Sequence, residues 1–118
     1  MDASQRERGV RAARNQSLFR EVNERIEKIA DAAREEIGYV CECLDLDCNQ
    51  QIQLSAGQYE AVRSRGSACF FVKPGHTDAM VERVVASYDG YEVVEKLGAA
   101  GDVAASFDLR AREATSAS

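Results

Sequence analysis

The sequence predicts an α+β fold: a long amino-terminal helix against a small, mainly antiparallel β-sheet. Two patterns carry that expectation. Apolar residues from Leu18 onward recur at steps of three and four, as on one face of a helix. After Gly38 the period changes to short strand-like runs separated by Gly, Pro, Asp and Ser. The 118 residues suffice for one hydrophobic core and hardly for two. The chain therefore reads as one folded unit, residues 17–98, between a flexible basic arm, 1–16, and a weakly packed carboxy-terminal tail, 99–118.

The helix is expected over about 17–37, with Leu18, Val22, Ile26, Ile29, Ala30, Ala33 and Ile37 as its buried stripe. Ser17 suits the N-cap and Gly38 a left-handed C-cap. Glu21, Glu24, Arg25, Glu27, Lys28, Asp31 and Arg34 then face solvent, with Glu21/Arg25 and Glu24/Lys28 paired at i,i+4. The same apolar stripe could instead seat a partner helix in a homodimer, although covering the chain's own sheet is favoured.

Tyr39–Cys43 and Gln51–Leu54 read as two strands of a hairpin around an irregular loop, Leu44 to Gln50. Ser55 caps a short helix, Ala56 to Arg63, with Tyr59 and Val62 on one face. Cys69-Phe70-Phe71-Val72 is apolar on both faces and reads as a central, covered strand. Pro74-Gly75 turns the chain into His76, and Thr77 or Asp78 could cap one further turn. The runs Val81–Tyr88 and Tyr91–Leu97 flank Asp89-Gly90, which suits a tight primed turn and would place Tyr88 beside Tyr91. Beyond Gly98 only Val103, Phe107 and Leu109 are expected to pin the tail to the body.

Charge narrows the range of functions. A net charge of -5, with no basic cluster interleaved with aromatics, disfavours nucleic acid as a partner. The longest apolar runs are a few residues, far short of the roughly twenty that a bilayer span requires. The amino terminus has no apolar core following its charges, so a cytoplasmic location is expected. Arg6, Arg8, Arg11, Arg14 and Arg20 concentrate positive charge in the first twenty residues of an otherwise acidic chain.

The chemistry is concentrated in Cys41-Glu42-Cys43-Leu44-Asp45-Leu46-Asp47-Cys48, a C-x-C-x4-C array, and in the single histidine, His76. Three thiolates and an imidazole make the closed tetrahedral donor set of a structural zinc ion. In a strand Cys41 and Cys43, two apart, point the same way while Glu42 points away. The expected metal ligands are Cys41, Cys43, Cys48 and His76, so that zinc clamps the first hairpin to the Pro-Gly turn. Cys69, among apolar neighbours, reads as a buried structural thiol. It could nonetheless replace His76 in an all-thiolate site, and an iron–sulfur cluster is the alternative cofactor. Disulfides are disfavoured where thiols stay reduced. A closed, thiolate-rich site is a poor Lewis acid, and no phosphate loop, catalytic triad or HExxH helix is present, so no catalytic residue is assigned.

Leu18–Ile26, Val40-Cys41-Glu42-Cys43, Cys48, Tyr59–Arg63, Pro74-Gly75-His76 and Val93-Val94-Glu95-Lys96 together resemble a group of small actinobacterial proteins of uncharacterised function. The resemblance spans roughly residues 18–97. It implies metal-like roles for Cys41, Cys43, Cys48 and His76 and none for Cys69, and it carries no established activity. The functional expectation is a non-enzymatic zinc-binding adaptor or regulatory module that meets a protein partner through the basic arm or the helix face. The alternative is a thiol-based redox or metal sensor that releases zinc on oxidation.

Overall fold

The computed structural model describes residues 3–29, 36–43, 45 and 47–110. Its elements follow in the order α1 (Ala3–Ile29), β1 (Ile37–Val40), β2 (Gln51–Leu54), α2 (Ala56–Arg63), β3 (Cys69–Val72), β4 (Glu82–Tyr88), β5 (Tyr91–Lys96) and α3 (Ala99–Ser106). Both sheets are antiparallel: the pair β1-β2 and a three-stranded sheet ordered β3-β5-β4. The α+β class and the long amino-terminal helix are as the sequence predicts.

The helix begins earlier than its hydropathy suggests. It is already formed at Ala3, and Ala12 and Ala13 are buried, so this stretch of the expected arm is helical and its later half is packed. Alanine has the highest helix propensity, and its small side chain lets α1 lie close to α3, where Gly9 faces Ala100 and Val81. Ser17 is no cap: its hydroxyl donates to the Ala13 carbonyl within the helix at 2.8 Å. At the other end Ile37 and Gly38 belong to β1, paired with Leu54 and Gln53, and Gly38 does not take a left-handed conformation. Ala30, Asp31, Ala33 and Arg34 lie outside the described residues.

The expected inward stripe is largely turned outward. Leu18, Val22 and Ile29 are 56, 42 and 86% exposed, while Ile26, and Ile37 from β1, pack partly against the core. The buried face carries Gln16, Ser17, Arg20 and Asn23 instead. Each of these side chains donates to a partner, as burial demands of its N–H or O–H groups. The Arg20 guanidinium donates to the carbonyls of Ser67 (2.6 Å) and Ala104 (2.9 Å) and lies 4.4 Å from the Phe70 ring centroid. Asn23 pairs with both backbone groups of Val40, accepting from its N–H at 2.8 Å and donating to its carbonyl at 2.9 Å. Glu24 and Glu27 do not lie on a free charged surface either. Arg110 reaches both, and Arg63 and the Tyr59 hydroxyl also donate to Glu24.

The remaining elements hold to their predicted bounds more closely. Ser55 and Gln58 form a capping box at the start of α2, which buries Tyr59 and Val62. Tyr39 stacks on Tyr59 at 4.7 Å, and Phe71 meets both rings edge-on, so that β1, α2 and β3 share one aromatic core. All four residues of β3 are buried, yet the central strand is β5. The outer edge of β3 is closed by Glu42, whose N–H donates to the Phe71 carbonyl (3.0 Å) and whose carboxylate accepts the Phe71 N–H (3.2 Å). Tyr88 and Tyr91 are paired and stacked as expected, but only Gly90 of the Asp89-Gly90 turn has positive φ, so the turn is not of the I′ type.

Residues 99–110 are not a loose tail. α3 packs on α1 through Ala100 and Ala104, while Phe107 and Leu109, expected as pins, are exposed. Asp108 anchors the end of this segment through Arg63 (2.6 Å) and the Ser67 hydroxyl (2.7 Å). Residues 111–118 lie outside the described part of the chain. No helix among the described residues is long and apolar enough to cross a membrane.

Candidate metal centre

Two loops at one end of the molecule supply four donors. The first follows β1. Cys41 continues the hairpin ladder, its N–H donating to the Gln50 carbonyl at 3.0 Å, and the chain then turns at Asp45. The Asp45 side chain accepts the Asp47 N–H at 2.9 Å and its carbonyl accepts the Cys48 N–H at 3.0 Å. Asp45 and Asp47 thus shape the turn that carries Cys48 back beside Cys41. The second loop follows β3. Lys73-Pro74-Gly75-His76 is a tight turn closed by His76 N–H to the Lys73 carbonyl at 3.0 Å. Gly75, at φ +87°, takes the left-handed position for which glycine carries no Cβ penalty. This is how the Pro-Gly pair presents the imidazole.

The donor atoms of Cys41, Cys43, Cys48 and His76 all lie within 4.8 Å of one another. His76 Nδ1 is 3.6 Å from Cys41 Sγ and 3.7 Å from Cys48 Sγ. A tetrahedral ion with bonds of roughly 2.3 Å to sulfur and 2.0–2.1 Å to nitrogen separates those atoms by about 3.6 Å. Those two pairs match the tetrahedral edge, and the four residues together lie close enough to hold a metal ion. Cys41 and Cys43 are buried, while Cys48 and His76 are half-buried and form the solvent side. Cys69 lies in the core of β3, outside this group, as its apolar neighbours predict. All four cysteines are free thiols.

The surroundings suit thiolates on binding and thiols without it. Burial pushes the Cys41 and Cys43 thiols up, while the Lys73 N–H, 3.2 Å from Cys41 Sγ, opposes that shift for Cys41. Hydrogen bonds of this kind steady a ligand and tune its charge. A bound cation would displace the thiol protons, so loading releases acid.

Glu42, between two of the donors, is the residue that sequence reasoning undervalued. It turns away from the thiols as predicted, but into the protein, and is 1% exposed. Burial raises its carboxyl to about 7, against the opposing hydrogen bonds from Asn23 and Phe71 and the nearby Arg20 charge. Asn23 Nδ2 donates to its carboxylate at 2.9 Å and Gln16 Nε2 to its carbonyl at 2.9 Å. Cys41 and Cys43 are thus held on either side of a residue bonded to both α1 and β3. The alternation of C-x-C signals the direction of Glu42, whereas nothing in its local sequence signals what lies there.

The chain matches no protein-family model, no curated protein and no solved structure.

Proposed function

We propose that Cys41, Cys43, Cys48 and His76 bind one zinc ion as a structural clamp in a non-enzymatic adaptor or regulatory module that works in the cytoplasm. The observation that carries this reading is the mutual spacing of four donors from two loops, all within 4.8 Å. That span is within about 1 Å of the roughly 3.6–3.8 Å edge of a tetrahedron with bonds of about 2.0–2.3 Å, which suits one ion and disfavours a multi-iron cluster. Three thiolates and a neutral imidazole favour zinc among the common divalent ions and leave it with little Lewis acidity. Four free cysteines accord with a reducing compartment. The resemblance to small actinobacterial proteins remains part of this proposal.

Elemental analysis of the purified chain tests the reading directly. One zinc per chain, and thiolate charge-transfer bands after cobalt substitution, are expected. A chain without stoichiometric metal, or cobalt spectra lacking those bands, would reject it.

One feature favours the sensor reading as a second possibility: Cys48 is the half-exposed thiol of the set. Peroxide can take two electrons from the Cys48 thiolate and a neighbouring thiolate, form a disulfide and, with two protons, leave as two waters. Two metal donors are lost in that step. Zinc released in proportion to disulfide at low peroxide supports a sensor, and zinc retained there supports the clamp.

A further inference from the structure

Among the described residues no element covers the outward face of α1. Along it the exposed side chains are Arg11, Arg14, Leu18, Val22, Arg25 and Ile29, at steps of three and four over about 27 Å of helix. Lys28 adds a further positive charge, Glu7 is an exposed carboxylate at the amino-terminal end, and Glu21 is half-buried at the edge. A ridge that alternates guanidinium and aliphatic groups stands on a chain whose net charge is -5. Beside its amino-terminal half is an open surface hollow of about 330 Å³ along Glu7, Val10, Arg11 and Arg14. The Arg14 guanidinium lies 5.7 Å from the ring centroid of Phe107, itself 38% exposed, so the apolar surface continues onto the end of α3.

We propose that this ridge docks an acidic amphipathic helix of another protein. Leu18, Val22 and Ile29 form a narrow seam of the width two helices share, and the hollow beside Val10 can take an apolar side chain from the partner. The flanking arginines select the occupant. Glutamates beside the partner's own apolar seam would meet Arg11, Arg14 and Arg25 in charge-assisted pairs, whereas lysines there would be repelled. A second copy of this chain is a poor occupant, because ridge on ridge doubles the guanidinium charge along one seam. An anionic membrane is also a poorer fit: the apolar stripe is narrow, has no tryptophan or tyrosine, and belongs to an acidic protein. This inference names the partner for the adaptor reading and rests on that reading for its role, but not on the metal.

The test uses the full chain and three probes: a helical peptide of about three heptads with leucine at the seam and glutamate beside it, the same peptide with lysine for every glutamate, and phosphatidylglycerol vesicles. Fluorescence anisotropy should show saturable binding of the glutamate peptide, at least about tenfold tighter than the lysine peptide and weakening with salt. The double variant Leu18→Asp, Val22→Asp should lose at least about tenfold in affinity. Arg11→Glu with Arg14→Glu and Arg25→Glu should reverse the peptide preference. Since these positions are exposed, circular dichroism should match wild type. If the triple variant fails to fold, Arg25→Glu alone should still narrow the preference. Equal binding of the two peptides, none below about 1 mM, full affinity in the Leu18/Val22 variant, or capture by vesicles in preference to the glutamate peptide would each overturn the proposal. A dimer that Leu18→Asp dissolves would overturn it in favour of a second copy. Cys48→Ser separates the two readings: peptide binding should survive there while zinc is lost, and a wild-type chain that binds peptide but no zinc rejects the clamp alone.

Discussion

Withdrawing the metal should cost the fold an amount set by mass action. The clamp joins His76 to thiols 28 and 35 residues away in sequence, so an ion bound there is bound by the folded chain. Zinc at about 100 times its dissociation constant then adds roughly 2.7 kcal/mol, which for a domain near 100 residues raises Tm by about 10–20 °C. Cys41→Ser and Cys48→Ser should both abolish this increment. They should differ once chelator has removed the metal. Cys41 is 1% exposed and its sulfur accepts the Lys73 N–H, so a shorter, more polar hydroxyl there costs about 1–3 kcal/mol with no ion present. Cys48 is half-exposed, and its replacement costs less than roughly 0.5 kcal/mol under the same conditions. Melting curves with zinc and with chelator for wild type and both variants measure all of these effects. Identical wild-type curves in zinc and in chelator would refute the clamp. A Cys48→Ser chain that keeps the full zinc increment would refute the four-donor set.

Three further outcomes follow from named contacts. Gly75→Ala places a side chain at φ +87°, which costs about 1 kcal/mol and shifts His76, so zinc affinity by chelator competition should fall while stoichiometry stays the same. Lys96→Met removes the ammonium 2.9 Å from the fully buried Glu82 carboxylate and leaves it only the neutral donors Gln16 and the Asp78 N–H; urea unfolding should show a loss of about 3–5 kcal/mol, partly restored by adding Glu82→Gln. Burial would raise Asp108, but hydrogen bonds from Arg63 and Ser67 and the Arg20 charge outweigh it and hold the carboxyl at about 2. Because its folded pKa is depressed, Asp108 contributes about 2 kcal/mol above pH 4 that is lost between roughly pH 4 and 2, and Asp108→Asn should remove that part of the acid dependence measured by urea unfolding.

The candidate metal residues were legible because soft donors are rare in this chain: four cysteines and one histidine leave few ways to assemble a tetrahedron. The Asp89-Gly90 hairpin, the Ser55 cap and the bounds of α2 and β3 were legible for a similar reason, since turn and cap chemistry is local. The orientation of α1 was not. Hydropathy assigns Leu18, Val22 and Ile29 to the interior, but the interior face here meets backbone carbonyls of Val40, Glu42, Ser67 and Ala104. Side chains that can donate to carbonyls, Gln16, Arg20 and Asn23, fit that face better than aliphatic ones. Their partners are 17–84 residues away, so no window of local sequence contains the signal. The same long range hid α3, whose small residues read as a tail until Gly9, Ala12 and Ala13 are seen to leave room for a close helix contact.

The polar face of α1 and the metal centre are one construction. Asn23 grips Val40 at the end of β1 and Glu42 between the donors, and Gln16 grips the Glu42 carbonyl. Neither Asn23 nor Gln16 is a donor, yet together they fix the strand end from which Cys41 and Cys43 project. Asn23→Ala should therefore act as a positioning change. It leaves the half-buried Val40 N–H without its acceptor and removes a donor from the buried Glu42 carboxylate, which costs about 1–3 kcal/mol, and it frees the Cys41-Glu42-Cys43 segment to move. Zinc stoichiometry and the cobalt spectrum should stay those of wild type, because the four donors are intact. Affinity should fall about tenfold, the loss typical of removing a group that orients metal ligands. Unchanged affinity alongside reduced stability would show that α1 supports the fold without preorganising the site.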